Sequence, residues 1–266
     1  MTDEQWARLH PLLPPQRPRT GRPPHDHRTI LSGILWVLRT GAPWRDLPER
    51  FGPWSTVWNR FRRRSAGGVW QRVLAALQRT ADHEGRLDWT THYVDGTVVR
   101  AHQQAAGAVG GQWQEALGRS RGGFSTKIHV RAEGGGRPVT FLVSGGERHE
   151  SRYLEALLSS GQVRRAGRGR PRVRPIQIVG DKGYSYPTVR RLLARRGIRA
   201  VIPRRRDQRP NDRRHRAFDR GVYRQRNRIE RLVGRLKQYR RIATRYEKRA
   251  AHYLAMLTLA AVLLWL

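Results

Sequence analysis

The chain has 266 residues, 54 Lys and Arg against 20 Asp and Glu, a formal charge of +34 and no Cys. That length allows one or two domains with a real core, and the lack of Cys excludes disulfides and Cys-ligated zinc. A positive excess of this size predicts a polyanionic partner, and without a single Gly-Lys dipeptide there is no P-loop and no reason to invoke ATP.

Only four of the 54 basic residues are Lys: Lys127, Lys182, Lys237 and Lys248. Arg suits forked phosphate contacts, although codon usage in a GC-rich genome produces the same skew.

Residues 1 to about 85 read as helical. Thr2-Asp-Glu-Gln5 has capping-box spacing ahead of a first helix that ends near Pro14-Pro15. A Pro-, Arg- and Gly-rich linker over 14–24 follows. Asp26 can then cap a helix through Ile30, Ile34, Leu35 and Leu38 that stops at Gly41. After a Pro-bounded turn, Ser55 can cap a helix containing Val57, Trp58 and Phe61, and another helix runs from Val69 to Ala81. The pair ending in Arg60-Phe-Arg-Arg-Arg64 suggests a helix-turn-helix reader of nucleic acid, with Arg60, Arg62, Arg63 and Arg64 as contacts. A packed helical cap with a solvated Arg face explains the same residues.

From about residue 90 the rhythm changes to strands, expected over 92–99, 124–131, 138–144, 175–180 and 198–202. Helices are expected near 150–160, 186–196 and 218–239. Three early strands followed by alternating helix and strand fit an α/β layer fold with a mixed sheet. Residues 103–122 and 163–174 read as Gly- and Arg-rich mobile loops, and 203–217 as a loop carrying seven Arg. The hydrophobic tail, Ala250 to Leu266, is interrupted by His252, Tyr253 and Thr258. It is marginal for a membrane span of about 20 residues, so a terminal core helix is expected. The acidic, polar opening has no cleavable signal pattern, which gives a cytoplasmic expectation.

Two acids are embedded in strand-like sequence: Asp95 within His92-Tyr-Val-Asp-Gly-Thr-Val-Val99, and Asp181 directly after Pro175-Ile-Gln-Ile-Val-Gly180. A third, Glu230, lies on a helical stripe. At roughly 100° per residue, Tyr223, Arg226, Glu230 and Lys237 share about one sixth of the circumference. Val222, Ile229, Leu232, Val233 and Leu236 fall on the adjoining face, and Arg224, Arg228, Arg231 and Arg235 opposite. Each acid alone could be an ordinary cap, turn or ion-pair residue. Together, an acid within a strand, one at a strand end and one on a late helix can converge on divalent metal. His149, just before a helix, reads as a cap-region residue.

The segment Tyr223 to Lys237 resembles the Tyr-x2-Arg-x3-Glu-x6-Lys signature of bacterial insertion-sequence transposases with an Asp-Asp-Glu active site. Closer still, the chain resembles their insertion-sequence-five group. The matching motifs are Gly41-Ala-Pro-Trp-Arg-Asp-Leu-Pro48, Tyr93-Val-Asp95, Gly118-Arg-Ser-Arg-Gly-Gly-Phe-Ser-Thr-Lys-Ile-His129, Asp181-Lys-Gly-Tyr184 and Ala243-Thr-Arg-Tyr246. The resemblance covers essentially the whole chain. It implies a ribonuclease-H-like catalytic core over 89–266, an all-helical DNA-binding domain over 1–88, and Asp95, Asp181 and Glu230 as the catalytic, metal-holding triad.

Phosphodiester cleavage needs an activated oxygen nucleophile and charge relief on the leaving oxygen, which two metal ions about 3.5–4 Å apart provide. Mg²⁺ suits all-oxygen ligands, with Mn²⁺ as a substitute. Asp95 would contact both ions, with Asp181 and Glu230 completing one side each. Tyr223, Arg226, Lys237 and Lys182 are candidates to hold DNA. The resemblance, not the residue chemistry, supplies the joining of a released 3′-OH to target DNA, and with it double-stranded DNA partners and a homodimer or higher oligomer on DNA. A metal-dependent nuclease of the same fold and a non-catalytic DNA-binding regulator are the competing readings.

Overall fold

The structure, a computed structural model, describes residues 1–16, 25–108, 111–120, 122–208 and 218–266. Most of the expected linker and much of the Arg-rich loop, residues 17–24 and 209–217, lie outside the described residues.

Four helices come first: α1 (Asp3–Leu9), α2 (His27–Thr40), α3 (Trp54–Ala66) and α4 (Val69–His83). The capping box forms, with Gln5 N–H donating to Thr2 Oγ1 at 3.2 Å and Thr2 N–H to Gln5 Oε1 at 3.1 Å. Asp26 caps α2, accepting from Thr29 N–H at 2.8 Å. Gly41 closes that helix in the left-handed region at φ 74°, where a Cβ is disfavoured. Ser55 is not a cap: it is the second residue of α3, which starts at Trp54 with Pro53 in the N-cap place and no side-chain cap.

The strands are β1 (Thr91–Ala101), β2 (Gly118–Ser120), β3 (Gly123–Ala132) and β4 (Pro138–Gly145), then α5 (Leu154–Ser160), β5 (Gln177–Val179), α6 (Pro187–Arg195) and β6 (Arg199–Val201). The expected 103–122 loop thus contains a short strand, β2, paired to β3. The chain ends with α7 (Arg220–Arg224), α8 (Asn227–Lys237), α9 (Arg240–Ala243), β7 (Thr244–Arg245) and α10 (Ala250–Trp265). The single helix expected over 218–239 is two, broken at Gln225 and Arg226.

These strands make the mixed sheet expected from the sequence. β1 is its hinge: it pairs antiparallel with β3 on one edge and parallel with β5 on the other, and β6 extends the parallel side. Alternating residues of β1 serve two cores. Tyr93 and Val99 join a large cluster that includes α4, α8 and α10, while Val94 joins Leu154, Leu158, Ile178, Tyr184 and Leu193 on the opposite face.

The large cluster runs without a break from Leu9 through the N-terminal helices to Trp265. Helix α10 is buried nearly all round, which marks a core helix rather than an amphipathic surface one, and it packs on α4, α3 and β4. Trp265 Nε1–H donates to Pro138 O at 2.8 Å, Tyr253 O–H to Ile242 O at 2.7 Å, and Arg8 to the carbonyls of Trp265 and Leu266. Among the described residues no helix is long and apolar enough to cross a membrane.

Several arginines are structural. Arg131, fully buried, donates to His92 Nδ1 and to the carbonyls of Leu157, Leu158 and Val173 at 2.8–3.3 Å. Arg245 donates to Ala116 O, Thr126 Oγ1, Glu247 O and Lys248 O at 2.8–3.2 Å. Arg241 is paired inside with Glu247 at 2.6 Å.

Leu257, fully buried in α10, provides a test of the shared core. Leu257→Ala should destabilise the whole protein by about 2–5 kcal/mol in one transition, measured by denaturant unfolding. An independent unfolding of the N-terminal helices, or no loss of stability, would contradict it.

Candidate active site

Parallel pairing brings the first two acids together. β1 and β5 run in step, Thr91 opposite Gln177 and Tyr93 opposite Val179. Carrying that register two residues on, past the end of β5, sets Asp95 beside Asp181. The two carboxylates therefore sit side by side, Asp95 midway along β1 and Asp181 just past the carboxyl end of β5, on the strand across which sheet direction changes. Asp181 also caps the short turn Lys182–Tyr184, its Oδ1 accepting from Gly183 N–H at 2.8 Å.

The third acid arrives on α8, which packs against β1. Tyr93 O–H on β1 donates to Gln225 Oε1 at 3.1 Å, fixing the junction. Arg226, at the N-cap of α8, then reaches two acids at once: its Nη2 lies 3.3 Å from Asp95 Oδ1, and its Nη1 bonds Glu230 Oε1 one turn on. Glu230 is half-exposed whereas Asp95 is mostly buried, with side-chain exposures of 52% and 16%.

The electrostatics follow from this arrangement. Burial pushes the Asp95 carboxyl above the usual Asp range and Asp181 adds to the push, while Arg226 and the Gly96 N–H oppose it. Burial disfavours the charge of Arg226, but Asp95, Glu230 and Asp181 together hold its proton more tightly than usual. One guanidinium thus feels all three acids. Beneath them Tyr184 is completely buried, and its hydroxyl has no hydrogen-bond partner among the described residues. Burial, then Asp95, Glu150 and Asp181, raise its pKa well above an ordinary phenol.

An all-oxygen set of carboxylates, one of them mostly buried and uncomfortable as an anion, suits a hard divalent cation. Among the described residues no three His, Asp or Glu stand as a ready-made cage; Arg226 takes up the space and charge between Asp95 and Glu230 instead. The residues fit the ion by donor type and charge demand.

Glu150 and Lys127 form an ion pair at 3.0 Å beside these acids that the sequence alone does not announce. The signal lay in the glycines: one follows Asp95 and another comes two residues after Asp181, and Glu150 occupies the space at both. His149 is a cap as expected, accepting from Ser151 N–H at 3.3 Å.

The candidate DNA contacts are dispersed. Lys182 and Lys237 are exposed, Lys182 in the turn after Asp181 and Lys237 at the end of α8. Tyr223 is half-buried against Phe218, with ring centroids 5.2 Å apart. On α3, Arg62 and Arg63 are exposed and Arg60 half-buried. Arg64, expected as a DNA contact, instead points inward over the Trp70 ring at 5.7 Å, and burial followed by Arg60 lowers its pKa to about 10. A phosphate cannot reach that face.

Comparison with known proteins gives a consistent result. The family model "Transposase DDE domain" matches residues 92–265, and "Putative transposase of IS4/5 family" matches residues 1–74. The uncharacterized protein y4sN of Sinorhizobium fredii is 37% identical over 135 residues, 51% of this chain and 96% of its own. An uncharacterized 16.2 kDa protein of insertion element IS402 from Burkholderia cepacia is 44% identical over 108 residues, 37% of this chain and 71% of that one. Among solved structures, a piggyBac transposase synaptic complex with hairpin DNA aligns over 97% of this chain and 69% of that chain, with TM-score 0.51 and 12% identity. That likeness concerns the fold, which is ribonuclease-H-like.

The raised pKa of Asp95 carries a signed prediction. A folded carboxyl above its unfolded value binds protons the unfolded chain does not, so its ionisation destabilises the fold as pH rises through the folded pKa. Without divalent ions, Asp95→Asn should melt higher than wild type at pH 7, by roughly 2–4 °C per kcal/mol relieved. The gap should close as the pH falls below the Asp95 pKa. A variant that melts lower at pH 7 would mean the bridge to Arg226 outweighs the burial.

Proposed function

The chain belongs to the transposase DDE domain family, and we propose that Asp95, Asp181 and Glu230 are the acids with which this DNA transposase cuts and joins its substrate. The observation that supports this most is that Arg226 bonds both Asp95 and Glu230 while the parallel register of β1 and β5 sets Asp181 beside Asp95. Three elements far apart in sequence bring acids together, although like charges repel.

Asp95 would hold both of two divalent ions, Mg²⁺ or Mn²⁺, with Asp181 and Glu230 completing one side each. Such ions activate the attacking oxygen and relieve charge on the leaving oxygen of an in-line displacement. Arg226 keeps the acids gathered before they are loaded. Lys182 and Lys237 on the exposed rim, with Tyr223, Arg62 and Arg63, bind the backbone of the element ends and target DNA. In the first step a water oxygen attacks phosphorus at the element end, the bond to the 3′ oxygen breaks, and a 3′-OH and a 5′-phosphate result. In the second, that 3′-OH attacks a target phosphodiester and displaces one of its oxygens, so no ATP is consumed. A homodimer or larger assembly holding two ends, working in the cytoplasm on nucleoid DNA, completes the reading.

Incubation with Mg²⁺ and DNA carrying the terminal inverted repeats, scored for nicking and joining, tests it. Both products are expected. Asp95→Ala, Asp181→Ala and Glu230→Ala should each lower the rate on the order of 10³-fold. DNA binding should persist, because the basic surface supplies it, and should weaken steeply with salt. Substantial activity in any one variant removes that residue from the triad; nicking without joining leaves a nuclease.

A further inference from the structure

Glu150 stands where the segments carrying Asp95 and Asp181 meet, and the triad does not use it. It opens the short turn Glu150–Tyr153 ahead of α5. Two glycines make room for its side chain. Gly96 follows Asp95 on β1, and a Cβ there would lie 3.2 Å from Glu150 Cβ and 3.4 Å from its Oε2. Gly183 donates to Asp181, and a Cβ there would overlap Glu150 Oε1 while lying 2.8 Å from Asp181 Oδ1. Glu150 Oε1 and the Asp181 carboxylate therefore face the same bare stretch of backbone.

Lys127 Nζ pairs with the other oxygen, Oε2, at 3.0 Å. Oε1 accepts no hydrogen bond among the described residues, and it adds negative charge to a place that already holds two Asp. An independent feature points to the same place. The Tyr184 hydroxyl is fully buried and unpartnered among the described residues, and Asp95, Glu150 and Asp181 all bear on it. A buried O–H left without an acceptor is costly and calls for an explanation; a carboxylate or water drawn in by a bound cation would satisfy it.

We propose that Glu150 is a fourth metal-holding acid, sharing with Asp181 the divalent ion on that side of Asp95. Glu230, tied to Arg226, serves the other side. This rests on the triad reading. Lys127 neutralises Glu150 until the ion binds, as Arg226 does for Asp95 and Glu230.

Mn²⁺ binding to the full chain without DNA, followed by the electron paramagnetic resonance signal of free Mn²⁺, tests it, with thermal melting as a check on folding. Asp95→Asn and Glu150→Gln should each weaken binding about ten-fold or more. Lys127→Met should bind as tightly as wild type or tighter, because it removes a competing cation. If Glu150→Gln does not fold, Glu150→Asp keeps the charge but draws it back from Asp181, and should weaken binding likewise. Wild-type binding by Glu150→Gln, with loss in Asp95→Asn, would overturn the proposal and leave the triad standing. Equal weakening in Lys127→Met and Glu150→Gln would reduce Glu150 to a structural ion-pair partner. Unchanged binding in both Asp95→Asn and Glu150→Gln would overturn the triad and the proposal together.

Discussion

The contact of Arg226 with Asp95 and Glu230 is the constraint on which the site depends. Asp95 belongs to a sheet that buries it, and a carboxylate there is unfavourable unless a cation stands close. Arg226 stands close because α8 packs on β1, and Tyr93, two residues before Asp95, holds the neighbouring Gln225 from the strand. The tyrosine anchor, the cation and the buried acid are therefore one device.

A second constraint is the continuous core beneath it. Helix α10 fills the space between the sheet and α3 and α4, so the N-terminal helices and the catalytic sheet stabilise each other. Cutting the chain near residue 88 would strip apolar surface from α10, whose burial contributes roughly 1.5–3 kcal/mol for each large side chain. A proposed DNA-reading role for the N-terminal helices is accordingly better probed by charge changes at exposed Arg62 and Arg63 than by excision. The same core takes up part of the positive charge. Arg131, Arg241 and Arg245 bond carbonyls or Glu247 inside the protein, so the formal +34 overstates what faces DNA.

Much of this was legible in the sequence because local chemistry and tertiary role agree. An Asp flanked by β-formers and another directly after an apolar strand stand out in the sequence, and the parallel register of β1 and β5 sets them side by side. The all-round apolar tail similarly read as a core helix. What failed to show was decided at long range. The anchor on Gln225 comes from Tyr93, over a hundred residues earlier, and Glu150 lies near the acids because β3 and β4 bring its turn back over β1. Arg64 is different, since its inward direction could have been read: Val57, Phe61 and Arg64 recur at spacings of four and three, a single helix face, and the basic run hid that period. Ser55 is no cap because α3 already starts at Trp54, after Pro53, which leaves Ser55 inside the first turn.

The most direct measurement of the central claim is anomalous scattering from crystals of the protein soaked in Mn²⁺. The account predicts manganese against Asp95 and Asp181 and against Asp95 and Glu230, with the Arg226 guanidinium moved off Asp95. Manganese bound elsewhere, with the bridge from Arg226 to Asp95 and Glu230 intact, would contradict it.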